Sequence, residues 1–269
     1  MFLPLTLPCN NFPMKIGILE CDHVLDRFRH IAGDYREMFT DLFSRHAPQI
    51  ALRTFDVCNG EFPSSLDSCD AYLATGSRFS AYDDVDWIHA LKNLVRRIQE
   101  AKKPFVGVCF GHQIMAEALG GKVARADLGW GVGVHSVEVI RPEDWMRPEQ
   151  SSCGLQYMHQ DQVERLPEGG VVIGRSDHCP VAMFRAGDSM LGIQAHPEFP
   201  KAYSEALLLD RIERIGGARV NELHGDALRC GSVRRDAPAF RAQWVKVGRN
   251  PAILLGTILI TCQNFGMNH

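Results

Sequence analysis

The sequence predicts an α/β protein with an open, mostly parallel sheet, helices on both faces and an antiparallel extension. Two observations predict this class. In the first half of the chain, short apolar runs alternate with segments of helical periodicity, which is typical of βαβ units. After Lys122 the alternation gives way to several short apolar runs, and these favour an antiparallel meander joined to the sheet.

The first half supplies the elements of the parallel sheet. The apolar run KIGILE predicts a buried strand, and the helical spacing of Tyr35, Met38 and Leu42 predicts the first helix. The acidic residues around Asp84 can cap and favour the N-terminus of a second helix, and Gly120 ends a third. The predicted strands are 15–20, 50–57, 71–75 and 104–109, and the predicted helices are 33–47, 88–102 and 112–119.

The second half supplies the extension. Weak alternation and three apolar runs predict strands at 131–140, 171–174, 181–184 and 190–194. A helix is predicted over 202–215. The predicted domain is 14–225, after an N-terminal extension of residues 1–13 that we expect to be disordered, with Met14 as an alternative start. Residues 226–269 form a C-terminal segment of undetermined structure, either a lineage-specific extension or the product of an altered reading frame.

Composition excludes several kinds of partner. The net charge is -3 over 269 residues, so neither nucleic acid nor an anionic membrane is expected as a partner. The apolar run 252–260 is too short to span a bilayer. Nine cysteines without a C-x-x-C pair predict neither a disulfide framework nor a zinc site. A reducing, cytoplasmic location fits this usage, and no secretory signal is recognised at the N-terminus.

The segment Gly107-Val108-Cys109-Phe110-Gly111 lies where a predicted strand ends and a helix begins. This spacing is typical of a nucleophile elbow, in which a strained turn exposes a side chain at the carboxyl end of a strand. A helix N-terminus there favours the thiolate, and the free amide of Phe110 is a candidate to bind an oxyanion. Taken alone, the pattern equally fits a core cysteine on a glycine-rich turn.

A candidate base lies in the later segment QAHPEF. His196 ends a predicted strand, because Pro197 prevents a central strand from continuing. Glu198 follows two residues later, so its carboxylate can hold the imidazole in one tautomer. Cysteine, histidine and glutamate in these roles form a catalytic triad. The alternative is a histidine at a strand end that makes only a structural hydrogen bond.

Together, the segments GVCFGHQ, GKV and QAHPEFP resemble the class-I, or triad, glutamine amidotransferases. The resemblance is closer to stand-alone relatives of the GMP synthase glutaminase domain and extends from about Lys15 to Val220. It implies a flavodoxin-like fold. It also implies that Cys109 is the nucleophile, His196 the base and Glu198 the orienting carboxylate.

The resemblance further implies the substrate contacts. The loop containing Gly76 and Ser77 would supply a second oxyanion-hole amide beside that of Phe110. Gln113 would bind the glutamine moiety. His159 lies in a segment found beside the family's active site, and it either lines the site or makes a structural hydrogen bond. This chemistry uses a γ-glutamyl thioester and needs no metal and no organic cofactor.

Three functions remain open at this level. The first is a free-standing hydrolase of glutamine or another γ-glutamyl small molecule, which the sequence favours because it contains no obvious docking surface. The second is a glutaminase that feeds ammonia to a separate synthetase, since neither a phosphate-binding G-x-x-x-x-G-K-[ST] loop nor an ATP pyrophosphatase loop is present. The third is a non-catalytic binding or regulatory module, which the intact triad disfavours.

Overall fold

The computed structural model describes residues 13–143, 146 and 151–216. The strands are β1 (Lys15–Leu19), β2 (Ala51–Phe55), β3 (Ala71–Ala74), β4 (Phe105–Val108), β5 (Lys122–Arg125), β6 (Gly131–Val139), β7 (Ser152–His159), β8 (Asp161–Arg165), β9 (Gly170–Arg175), β10 (Met183–Ala186) and β11 (Met190–Ile193). The helices are α1 (Asp26–Ala32), α2 (Tyr35–His46), α3 (Asp86–Glu100), α4 (Phe110–Ala118), α5 (Lys201–Asp210) and α6 (Ile212–Ile215).

The larger sheet has nine strands in the order β2-β1-β3-β4-β11-β10-β9-β6-β7. The pairs among β2, β1, β3, β4 and β11 are parallel, and the pairs from β11 to β7 are antiparallel. The predicted flavodoxin-like α/β sheet with an antiparallel extension is therefore confirmed. One detail differs from the prediction. Strand β11 belongs to the parallel part as well as to the meander.

Helices cover both faces of the sheet because each strand divides its side chains between them. On one face, Ile16 of β1 packs in a core with Phe39 of α2. On the other face, Phe105 of β4 packs with Leu91 of α3 and Ile114 of α4. The two cores hold the carboxyl ends of β3, β4 and β11 side by side, which is where sites form in open α/β sheets.

Four elements were not predicted, namely α1, β5, β7 and β8. Helix α1 has seven residues and none of them is fully buried, so its apolar stripe is short: Phe28, Ile31 and Ala32 pack, partly buried, against a core. Strands β5 and β8 form a separate two-stranded ribbon, and β7 is the edge strand of the large sheet. The predicted capping of α3 by aspartate is also wrong. Val85 occupies its N-cap without a side-chain hydrogen bond, and Asp86 lies in the first turn.

Several predictions fall on parts of the chain outside the described residues. They concern the extension before Pro13, the segment 226–269 and the apolar run 252–260. Within the described part of the chain, no helix is both long and apolar enough to cross a bilayer.

A buried carboxyl group follows β1. Glu20 is fully buried, and its Oε1 accepts a hydrogen bond from the Arg36 amide at 3.3 Å. Its Oε2 has no hydrogen-bond partner among the described residues. Burial, together with the charge of Asp34, raises the pKa of Glu20 to about 7. Ionising Glu20 is therefore less favourable in the folded protein than in the unfolded chain.

Replacing Glu20 by glutamine is expected to stabilise the protein at pH 8 and to have little effect at pH 4. An acid with a raised folded-state pKa loses stability as pH rises between its unfolded value of 4.5 and about 7. The gain at pH 8 should reach at most about 3 kcal/mol in the free energy of unfolding. Urea denaturation at both pH values measures it, with Glu100→Gln on α3 as the control. Equal effects of Glu20→Gln at the two pH values would contradict the expectation.

Candidate active site

Cys109 occupies a strained turn between β4 and α4. Its φ is 50° and its ψ is -101°, a conformation that costs free energy for any residue with a side chain. The two flanking glycines are required by close packing. A Cβ on Gly107 would lie 2.3 Å from the carbonyl oxygen of Gly111, and a Cβ on Gly111 would lie 2.4 Å from that of Ala74. The G-x-C-x-G spacing therefore lets strand and helix approach closely around the thiol.

His196 comes to the same place from β11, the strand next to β4. Its Nδ1 lies 2.8 Å from Oε1 of Glu198, and its ring stacks on Phe199 with centroids 3.9 Å apart. Both side chains of the His196–Glu198 pair are buried. The hydrogen bond to Glu198 fixes the ring orientation and leaves Nε2 as the nitrogen available for proton transfer.

The charge state of His196 depends on its neighbours. Burial lowers the pKa of His196, but the charges of Cys109 and Glu198 and hydrogen bonds to both outweigh burial and raise it to about 10. The imidazolium form is thus stabilised at neutral pH. A thiolate beside an imidazolium is the reactive arrangement in cysteine enzymes.

The loop after β3 brings Gly76 against both groups. A Cβ on Gly76 would lie 2.8 Å from Cε1 of His196 and 3.7 Å from the Cβ of Cys109. Only glycine fits there without displacing the imidazole. The Gly111 amide donates to the carbonyl of Thr75 at 3.1 Å, which ties this loop to the elbow.

Two backbone amides at this point are free to bind an anion. Among the described residues, neither the Gly76 nor the Phe110 amide donates a hydrogen bond. The Phe110 side chain is fully buried and packs on Trp87. Amides at a helix N-terminus bind negative oxygen atoms well.

Two groups that support the site have no sequence signal. Gln194, at the end of β11, directs Nε2 at the Cys109 sulfur, 3.7 Å away. Asp22 accepts hydrogen bonds from the Arg78 backbone at 2.8 Å and from its guanidinium at 2.6 Å. Asp22 therefore anchors the loop that follows Gly76. Neither pair is close in sequence, so spacing alone does not reveal it.

Three of the five predicted substrate-binding residues share one pocket. Ser77, Gln113 and His159 line one pocket together with Cys109. Gly76 and Phe110 are not among the described residues that line it, and neither is His196, which has only 4 % of its surface exposed. The Nε2 of Gln113 already donates to the Asp161 carbonyl at 2.7 Å and to Oε1 of Gln194 at 3.2 Å, so the Oε1 of Gln113 is the atom left for a ligand.

His159 is held in a neutral form. Burial lowers its pKa well below the ordinary value, and the neighbouring His178 adds to this effect. Gln162 contacts its Nε2 at 3.3 Å, and the ring lies edge-on to Tyr157. His159 thus lines the pocket and also takes part in structural contacts, and its contact with substrate stays a prediction.

The other described cysteines are poor nucleophiles. Burial raises the pKa of the Cys58, Cys153 and Cys179 thiols to about 12, 11 and 12, respectively. Burial also raises the pKa of the Cys21 and Cys69 thiols. These thiols stay protonated near neutral pH. Cys9, Cys230 and Cys262 lie outside the described residues.

Side chains of the types that bind metal ions lie close together near the end of β1. Donor atoms of Glu20, His23 and Asp34 lie within 4.8 Å of one another, as do those of His23, Asp56 and Cys58. The His23 ring, however, contacts Asp34 at 3.0 Å and Asp56 at 3.1 Å. Burial lowers the pKa of His23, but these carboxylates raise it above the ordinary value. Ion pairs therefore account for the cluster.

Comparison with known proteins gives the same family from sequence. A family model described as glutamine amidotransferase class-I matches residues 80–212. Gamma-glutamyl peptidase 5 of Arabidopsis thaliana is 33% identical over 225 residues, which cover 81% of this chain and 87% of the relative. One of the subunits of the glutamine-hydrolyzing GMP synthase of Thermococcus kodakarensis is 30% identical over 134 residues, which cover 49% of this chain and 71% of the relative.

Solved structures give the same fold. The crystal structure of a glutamine amidotransferase from Thermotoga maritima matches with a TM-score of 0.66 at 18% identity. The match covers 96% of this chain and 99% of that one.

Proposed function

The chain belongs to the class-I glutamine amidotransferase family, and from this premise we propose that it is a hydrolase that cleaves γ-glutamyl amide bonds through a cysteine thioester. The observation that carries the proposal is the meeting of the Cys109 elbow with the buried His196–Glu198 pair, whose side chains lie 2.8 Å apart. The chain's similarity to gamma-glutamyl peptidases over 87% of the length of one of them supports a peptidase-like substrate.

In the first step, the Cys109 thiolate attacks the γ-carbonyl carbon of the substrate. The negative charge moves to the carbonyl oxygen, which the amides of Gly76 and Phe110 would bind, since neither donates a hydrogen bond to a described residue. The carbon–nitrogen bond then breaks, and His196 donates its proton to the leaving amine. The products of this step are the free amine and a γ-glutamyl thioester on Cys109.

In the second step, neutral His196 takes a proton from water, and the hydroxide attacks the thioester carbonyl. The carbon–sulfur bond breaks, glutamate leaves, and the thiolate–imidazolium pair is restored. Glu198 holds the imidazole orientation through both steps and stabilises its charged form. The residues described above supply every proton transfer in the cycle.

A second candidate function has its own support. The GMP synthase relative from Thermococcus kodakarensis is 30% identical to part of the chain, and its name describes a glutamine-hydrolyzing synthase. In that case the chain would hydrolyse glutamine only when a separate synthetase is bound. The oxyanion loop around Gly76 is the element that such a partner would have to shift.

The proposed function predicts that the purified chain releases glutamate without ATP and without a partner. Glutamine, γ-glutamylglycine and glutathione are the substrates to compare, with turnover of roughly 1 to 1000 per second for the best of them. Glutamate release is measured by a coupled assay, with a protein-free blank. The glutamine amidotransferase alternative predicts negligible release that rises strongly when an ATP-dependent partner is added, and that result would replace the proposal.

A further inference from the structure

The pocket that contains Cys109 carries excess positive charge. One carboxylate lines it, that of Asp161, which accepts a hydrogen bond from the Ser80 hydroxyl at 2.5 Å. The arginines that line it are Arg78, Arg125, Arg211 and Arg214. Cations therefore outnumber anions four to one along the wall formed by the described residues.

The arginines are not equivalent. Arg78 is neutralised by Asp22, 2.6 Å away, and serves the loop described above. Arg125, Arg211 and Arg214 make no ion pair with any residue in the described part of the chain. Three guanidinium groups thus face the pocket without a counter-charge from the described residues.

Two of these arginines are held in place by an aromatic ring. The guanidinium carbons of Arg211 and Arg214 lie 5.7 Å and 5.4 Å from the ring centroid of Trp130. Cation–π contact orients a guanidinium and leaves its N–H groups free to donate to a carboxylate. Arg211 and Arg214 also lie on one turn at the start of α6, so they can act as a pair.

The third arginine belongs to the glutamyl side of the pocket. Arg125 ends β5 and pairs in register with Asp161 of β8. The Asp161 carbonyl accepts the hydrogen bond from Gln113, the residue expected to contact the glutamyl group. Because Arg125 and Gln113 line the same pocket, we assign Arg125 to the α-carboxylate of that group.

A γ-glutamyl group carries one α-carboxylate and one α-ammonium group, and glutamine has no further charge. Arg125 suffices for that single carboxylate, so Arg211 and Arg214 lack an anion when glutamine is bound. We propose that the enzyme selects γ-glutamyl peptides whose leaving amine bears a carboxylate, and that Arg211 and Arg214 bind this carboxylate. The inference rests on the proposed function and specifies its substrate class.

The test compares three substrates: γ-glutamylglycine, its C-terminal amide and glutamine. In the Arg211→Gln/Arg214→Gln variant, kcat/KM for γ-glutamylglycine should fall roughly 10- to 100-fold, as expected for loss of charge-assisted hydrogen bonds. For the amide and for glutamine, the kcat/KM of this variant should change less than about twofold, since neither substrate has the second carboxylate. The wild-type preference for the free acid over its amide should also shrink as salt is raised.

The matched control removes the same charge elsewhere. Arg97 on α3 and Arg165 on β8 are exposed, and neither makes an ion pair with the described residues. Arg97→Gln/Arg165→Gln should leave all three kcat/KM values unchanged. An equal loss on all three substrates in the Arg211→Gln/Arg214→Gln variant would overturn the inference, and so would no loss on any of them.

A binding measurement separates this inference from the proposed function. Calorimetry with the Cys109→Ala variant should show tighter binding of γ-glutamylglycine than of its amide. Adding Arg211→Gln and Arg214→Gln should abolish the difference. If the wild type cleaves none of the substrates while this binding preference is present, the hydrolase proposal fails and the carboxylate site stands. If cleavage occurs without any binding preference, the carboxylate site fails alone.

Discussion

Replacing Cys109 by alanine is expected to reduce glutamate release from γ-glutamyl donors by at least about 10⁴-fold, because no thioester can form without the sulfur. The fold should be retained. Alanine keeps the Cβ that the turn already accommodates at φ 50°, and the thiol makes few polar contacts. Steady-state glutamate release and a thermal unfolding curve for both proteins measure the two effects.

Cys179→Ala is the matched control. Cys179 is also buried and packs in the same core as Cys109, but it does not line the pocket. We expect it to cost about 1 to 2 kcal/mol of stability and to leave turnover nearly unchanged. Acid quenching of the wild type during turnover should also leave a γ-glutamyl group on the peptide containing Cys109. Wild-type turnover by Cys109→Ala would show that the nucleophile is a different residue.

The parts of the site that could be predicted from sequence are those formed by contacts within one short segment of the chain. Gly107 is needed because the strand and helix of the elbow nearly touch, and Gly111 because the helix nearly touches β3; both glycines are visible in the spacing. His196 and Glu198 are two residues apart, so their contact is also local. Most of the parallel sheet was predictable for a similar reason, since β3, β4 and β11 are fully buried and almost wholly apolar.

The parts that were missed depend on contacts between distant segments. Asp22 and Arg78 are 56 positions apart, and Gln194 and Cys109 are 85 apart. Nothing in the sequence pairs these residues before the sheet order is known. The same holds for the ring of Trp130 beneath Arg214, because these two residues meet only in the folded chain. Polar residues on half-exposed strands such as β7 give weak periodicity, which is why that strand was missed.

Replacing His196 by alanine is expected to reduce turnover by about 10³- to 10⁵-fold, since the leaving amine then departs without a proton and water is not activated. Glu198→Gln should reduce turnover about 10- to 100-fold less than His196→Ala, because it alters only the orientation and charge of the base. Glu205→Gln on α5, a carboxylate already paired with Lys201, is the control and should behave as wild type. Equal losses for Glu198→Gln and His196→Ala would contradict a purely orienting role.

The pH dependence of kcat/KM distinguishes an electrostatic role of Glu198 from a purely structural one. The proton that His196 donates is present below its pKa and is lost as pH rises through that value. Because Cys109 and Glu198 raise this pKa to about 10, wild-type kcat/KM should hold until strongly alkaline pH. Glu198→Gln removes one of the two charges, so the alkaline limb should move to lower pH. Rates measured across the alkaline range, up to about one pH unit above that pKa, decide this. If the limb stays in place while turnover falls, Glu198 acts on packing and does not set the proton affinity of the base.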